Sequence, residues 1–242
     1  MKQISAHLHQ ISLGVVNVFL LDDGPAGLTL IDTGVPDSAE KVLAAIRQGG
    51  KRPEDIRRII LTHWHPDHAG NAAELQQRLG ARVLAHEAEA DILAQGGGAR
   101  PRYRTPGVVN WLVFQLFIKG VPGQIAPVRV DERVADNQLL PLAGGLRVIH
   151  TPGHSAGHMA LLLEADDVLI AGDICAHASG LAYSAVNEDL DVARQSILKA
   201  AAFPFGQAVF GHGGPLVGEA SRQLRAKFQP PQPWAGQALQ AV

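Results

Sequence analysis

The sequence predicts a mixed α/β protein whose strands end in loops that carry metal-ligand side chains. Three observations predict it. Short apolar runs of strand character alternate along the chain with segments of helical apolar spacing. Several of those runs stop at an acid or a histidine beside glycine, as in Gly172-Asp173 and Gly211-His212. The run at 56–61 leads into His63-Trp64-His65-Pro66-Asp67-His68, where ligand-type side chains crowd one short loop.

In chain order, 3–13, 17–22 and 28–31 read as three strands with an antiparallel start, the clearest turn being Asp23-Gly24-Pro25. His7 and His9 share a strand face with no further ligand near them and read as plain strand residues. Asp32-Thr33-Gly34 leaves the third strand, with Asp32 placed either to cap a turn or to orient a metal-binding loop. A helix follows at about 37–48, where Val42, Leu43 and Ile46 recur at helical spacing. Beyond the histidine loop, 69–79 reads as a helix stopped by Gly80, 81–85 as a strand, and 87–95 as a helix ended by Gly96-Gly97-Gly98.

The composition then changes. Residues 99–107 are rich in Arg and Pro, and 108–118 concentrates Trp111, Phe114, Phe117 and aliphatic side chains. That segment is too short to span a bilayer and is open to three readings: a core helix, a contact between two copies of the chain, or a lid forming an apolar wall over a pocket. Strand character returns at 146–150 and runs into a glycine-flexed turn with His154 as candidate ligand. His158 opens the next strand, where it supports the site by a hydrogen bond or packs. Segments 159–164 and 168–171 form a hairpin through Ala165-Asp166-Asp167 that ends at Asp173. A helix at 187–202, a strand at 208–210 before His212, a helix at about 217–228 and a Pro-rich tail with Trp234 complete the chain.

The bulk numbers exclude several classes of function. A 242-residue chain with 46% hydrophobic and 18% charged residues is an ordinary globular protein, and a net charge of −2 offers no field for nucleic acid. Cys175 is the only cysteine, so no internal disulfide and no thiolate cluster can form. Any metal must be held by His and carboxylate. The N-terminus lacks the layout of a signal peptide, and the apolar run 11–21 is broken by Asn17, so no membrane partner and a cytoplasmic location are expected. Three imidazoles and a carboxylate forced together are costly unless a cation binds them.

His63-x-His65-x-Asp67-His68 followed by His154, Asp173 and His212, with Asp32-Thr33-Gly34 ahead of them, resembles the metallo-β-lactamase superfamily over nearly the whole chain. The resemblance implies an αββα sandwich: two mixed sheets face to face, helices outside, the metal site at the sheet edge. It implies one domain over 1–242, with a lid-like helical insertion at about 87–125 and an irregular tail at about 229–242. One cation would be held by His63, His65 and His154, and a second by Asp67, His68 and His212, with Asp173 bridging. Asp32 and His158 would support the ligands. Two divalent ions are implied, zinc by default, with iron, manganese or cobalt suited to the same ligands. Water shared by two such ions loses a proton near neutral pH and attacks a carbonyl carbon, while Asp67 or Asp173 passes a proton to the leaving group. His177 and Tyr183 follow Asp173 where some relatives place a substrate-contacting side chain, and both also read as structural. Cys175 reads as a small buried residue.

The substrate expected from the resemblance is a small molecule, first a lactone or carboxylic ester with an apolar acyl part, because the apolar insertion resembles the lid of lactonase-like members. A glyoxalase II-type thioester comes second, since few residues follow His212. Two other classes stay in view: a persulfide dioxygenase with a single iron, which would not need Asp67, His68 and His212, and a non-catalytic binding protein, which would not need the complete ligand set. A homodimer through the apolar segment is a further expectation.

Overall fold

The computed structural model describes residues 1–98, 105–121 and 123–230. The Arg/Pro-rich stretch at 99–104, the tail from 231 with Trp234, and the side chain of Phe117 lie outside the described residues. Two mixed sheets pack face to face with helices on both outer faces, the αββα sandwich that the motifs imply.

The first sheet runs in chain order from β1 (Lys2–Gln3) through β2 (Leu8–Ser12), β3 (Asn17–Asp22), β4 (Leu28–Ile31), β5 (Ile56–Leu61) and β6 (Arg82–His86) to β7 (Glu132–Val134). It is antiparallel up to β4 and parallel from β4 onward. The second sheet contains β8 (Leu139–Leu140), β9 (Leu146–His150), β10 (Met159–Leu163) and β11 (Val168–Ile170). A separate small hairpin follows, β12 (Ala176–His177) with β13 (Leu181–Ala182). Then β14 (Gln207–Val209) pairs parallel with β11, and β15 (Leu216–Val217) closes the edge.

Strands buried on both faces explain the nearly continuous apolar runs. In β3, Phe19 and Leu21 face the second sheet, whereas Val18 and Leu20 face the helices α1 (Ala39–Gln48) and, beyond the short α2 (Pro66–Ala69), α3 (Ala72–Leu79). In β10, Met159, Leu161 and Leu163 face the first sheet. Ala160 and Leu162 face the other way, toward Ile197 and Leu224 of the helices Leu190–Ala200 and Ala220–Phe228. A shift of either strand by one residue would exchange these faces, so burial fixes the register.

Some boundaries differ from the sequence expectation for identifiable reasons. The first strand is two, because Ile4 and Ser5 both donate to the Leu8 carbonyl and turn the chain. The helix expected at 69–79 is broken at Gly70-Asn71, since the Asn71 side chain bonds Thr33, Val35 and Ser38 instead of continuing the helix. The last helix starts at Ala220, after β15 and a left-handed Glu219. The insertion protrudes less than expected. Its first part, α4 (Glu87–Ala94), buries Glu89, Ala90 and Leu93 against the fold. The exposed part is α5 (Val108–Val113) and the π-helical turn Phe114–Ile118, where Val108 and Val109 are 77% and 70% exposed. This settles one of the three readings, because a core helix would not leave those side chains in water. Among the described residues, no helix is long and apolar enough to cross a membrane.

Candidate metal centre

Parallel neighbours end side by side, and the site is built from that fact. Parallel pairing of β4 with β5 brings Asp32 to the loop bearing His63, and parallel pairing of β11 with β14 brings Asp173 beside His212. The loop after β9 adds His154. The amide of Met159 donates to the Thr62 carbonyl at 3.0 Å and ties the two sheets together at this edge. Pro66 starts α2 directly after His65, so Asp67 and His68 sit on one helical turn.

All seven expected ligand side chains converge. His63, His65 and His154 form one group, Asp67, His68 and His212 another, and His63, His68 and Asp173 a third; within each, the ligand atoms lie within 4.8 Å of one another. The Asp173 carboxylate stands between the halves: Oδ1 is 3.5 Å from His68 Nε2, and Oδ2 is 3.6 Å from His154 Nε2 and 3.2 Å from His212 Nε2. Asp67 Oδ2 is 3.3 Å from His212 Nε2.

Hydrogen bonds on the far side of each ring fix the tautomers. The Nδ1 atoms of His68, His154 and His212 donate to Asp32 Oδ2, the Val186 carbonyl and the Val15 carbonyl, which turns each Nε2 toward the centre. His63 Nδ1 lies 3.0 Å from Thr62 Oγ1, whose own proton is taken by Asp32. His158 works differently. Its Nε2 accepts the Asp173 amide at 2.9 Å and its Nδ1 meets Thr151 Oγ1, so it holds the Asp173 backbone. Asp32 and His158 thus contact the candidate ligands from outside the cluster.

The donor set fits cations on its own chemistry. His63 Nε2, His65 Nε2, His68 Nε2 and Asp173 Oδ1 are buried with no hydrogen-bond partner among the described residues, an arrangement that costs free energy unless something else binds them. His65 Nδ1 lies 2.9 Å from His154 Nε2, and two such nitrogens share either a proton or an ion. Burial, reinforced by neighbouring histidines, holds His63 well below the usual imidazole range and His65 at about 3, so both are neutral, the form a cation requires. Burial opposes charge on His68 and His212, yet Asp173 and Asp67 outweigh it and raise both well above the ordinary value. In turn His68 and His212 hold the two carboxylates well below theirs, against burial. Gly211 is obligatory here: a Cβ would lie 2.2 Å from Asp173 Oδ1 and 2.6 Å from His68 Cε1.

The other expected residues are spread out. His177 donates from Nδ1 to the Gly214 carbonyl and from its amide to His212, so it braces the His212 turn. Tyr183 packs edge-on against Phe228, with ring centroids 4.9 Å apart. Cys175 is buried, which pushes its thiol pKa up and leaves it inert as a nucleophile. Trp111 is exposed and Phe114 partly buried on the protruding segment. Sequence reasoning missed Asn17, whose amide donates to the Phe210 and Gly213 carbonyls either side of His212, and Ser184, which donates to the Asp173 carbonyl. The signal for Asn17 was present as a polar residue inside an apolar strand.

A family model described as the metallo-beta-lactamase superfamily matches residues 11–212. The chain belongs to the metallo-β-lactamase superfamily. Within that superfamily it is 28% identical to the probable metallo-hydrolase YflN of Bacillus subtilis, over 89% of this chain and 87% of that one. It is 27% identical to the thioesterase pkgB of Emericella nidulans over 83% of its length, but spans only 46% of that protein. A solved metallo-β-lactamase of Cronobacter sakazakii superposes with a TM-score of 0.67 at 27% identity, over 87% of this chain and 79% of that one.

Proposed function

We propose that this metallo-hydrolase uses two divalent cations, zinc by default, to hydrolyse acyl thioesters and esters with an apolar acyl part. The observation that carries the reading is the convergence of seven ligand-type side chains on one sheet edge, four of them with a buried atom that has no hydrogen-bond partner among the described residues. His63, His65 and His154 would hold one ion, Asp67, His68 and His212 the other, with Asp173 shared. Ions bound there would supply Lewis-acid polarisation of the scissile carbonyl and acidify the attacking water.

The chain's own carboxylates divide the remaining work by exposure. The Asp173 side chain is 5% exposed, with Oδ2 3.2 Å from His212 Nε2 and Oδ1 facing His68 across 3.5 Å, so it positions. The Asp67 side chain is 36% exposed and ionised, and it is the group that would take the proton shed by the attacking water and pass it to the leaving atom. The apolar face of α5 would cover the acyl part. Its segment is rooted at both ends: Thr105 bonds Ala185 and Ser184 through its amide and hydroxyl on one side, and on the other the Ile125 amide donates to the Gly96 carbonyl, next to Gly97 and Gly98 on the Trp64 indole.

The motif and insertion alone put lactones ahead; the thioesterase among the relatives moves thioesters to the front. Hydrolysis rates on S-lactoylglutathione, an aryl ester and an acyl homoserine lactone, with elemental analysis alongside, test this. The expected result is about two metal ions per chain and fastest thioester turnover. Exclusive lactone turnover would reverse the order, and full activity in metal-free protein would end the proposal.

A further inference from the structure

Helix α4 starts immediately after β6, with the His86 imidazole accepting the Ala88 amide as its cap. In its first turn Glu89 is completely buried, and among the described residues no basic side chain pairs with it. A buried carboxylate without a cation partner is expensive and persists only where its oxygens are fully used. Here they are. Oε2 accepts the Trp64 amide at 3.1 Å, while Oε1 accepts the Ser155 hydroxyl at 2.5 Å and the Gly157 amide at 2.9 Å.

Those three donors belong to two different loops. Trp64 lies between His63 and His65; Ser155 follows His154, and Gly157 precedes His158. The chain comes very close at this point, because a Cβ on Gly157 would lie 2.6 Å from Glu89 Cγ. We propose that Glu89 is a positioning residue that clamps the 63–68 loop to the 151–158 loop and so sets the spacing of the His63, His65 and His154 ligand atoms. The proposal rests on the two-cation reading above.

Only an acceptor-only group suits the position. Two of the three partners are backbone N–H groups that cannot reverse, so an amide, with one acceptor oxygen and one NH2, satisfies one loop and confronts the other with a donor. Glu89→Gln therefore keeps size and burial but breaks the clamp on one side.

Titration of metal-depleted protein with Co2+, read by its visible absorption spectrum and by chelator competition, tests the clamp. Glu89→Gln is expected to weaken the first-filled or second-filled site of the His63, His65 and His154 group by about 10–100-fold and to alter its absorption bands, as outer-shell changes do. Ser155→Ala removes one hydroxyl donor with little demand on folding, and is expected to move the same site several-fold in the same direction. Leu224→Ala, a core cavity between the second sheet and its outer helices in a cluster that contains none of the clamp residues, destabilises the fold and leaves both cobalt affinities unchanged. Wild-type spectrum and affinity in both Glu89→Gln and Ser155→Ala would overturn the positioning role while leaving the metal centre intact. If Glu89→Gln does not fold, Ser155→Ala alone decides. A wild-type chain that binds no cobalt would overturn the two-cation reading and the clamp together.

Discussion

Asp32 adopts a left-handed backbone, φ 60°, at the end of a buried strand, and its carboxylate explains why that conformation is kept. It accepts the amide and hydroxyl of Thr62 and the Nδ1 proton of His68, so both ends of the histidine loop hang on one side chain. A second residue-scale feature lies off the site. The rings of His86 and His150 stack 3.9 Å apart at 11°, and burial, then the His150 charge, lower the His86 pKa. Above pH 6.5 both folded and unfolded chains keep His86 neutral and its contribution is intact. As pH falls below 6.5 the unfolded chain takes up the proton first, and stability is lost. His86→Asn keeps a capping acceptor without titrating, so the gap in urea midpoint between wild type and variant should shift in the variant's favour between pH 8 and pH 5.5. A gap independent of pH would show that the stacked pair plays no such part.

Among the elements, α6 (Leu190–Ala200) holds the His154 turn from below. Asp189 caps it by accepting the amides of Asp191 and Val192, and its own amide donates to Gly153. Asp189→Ala should cost about 1 kcal/mol, a fall of roughly 2–4 °C in Tm by calorimetry. The exposed α5 is a different case. Trp111→Ser with Leu112→Ser should cost on the order of 1–2 kcal/mol, less than a core truncation, since the two residues are already 45% and 44% exposed. If α5 covers an acyl chain, the same pair should lower kcat/KM on an octanoyl thioester on the order of tenfold and leave an acetyl thioester unaffected. Equal effects on both chain lengths would assign α5 to something other than acyl binding.

For the molecule as a whole, the two sheets meet at the candidate metal edge, where three buried ring nitrogens and one carboxylate oxygen lack partners when no cation is bound, at a cost in free energy. Chelation should therefore lower Tm. At a free metal concentration 100 times Kd each bound ion contributes about 2.7 kcal/mol, which corresponds to roughly 5–10 °C per ion in a chain of this size. A Tm unmoved by chelation, with metal loss verified by elemental analysis, would mean that the seam is held without ions.

The sequence by itself determined the mixed α/β class and named the candidate ligands, because those signals are local: a histidine motif within one loop, glycines beside His212 and Asp173, periodicity within single elements; the layered sandwich followed from the resemblance of those motifs to a family. The two- and three-residue strands β7, β8, β12, β13 and β15 left no trace in it, being too short to show a period. Tertiary structure alone decided that Asn17 holds the His212 turn, 193 and 196 residues away, and that Glu89 reads as a helix first-turn acid yet spans to donors 25, 66 and 68 residues distant. It also decided that the apolar segment after Gly107 stands out in water. Such partners are set by how sheets stack and loops meet, and a side chain's neighbours across a fold are not encoded in its neighbours along the chain.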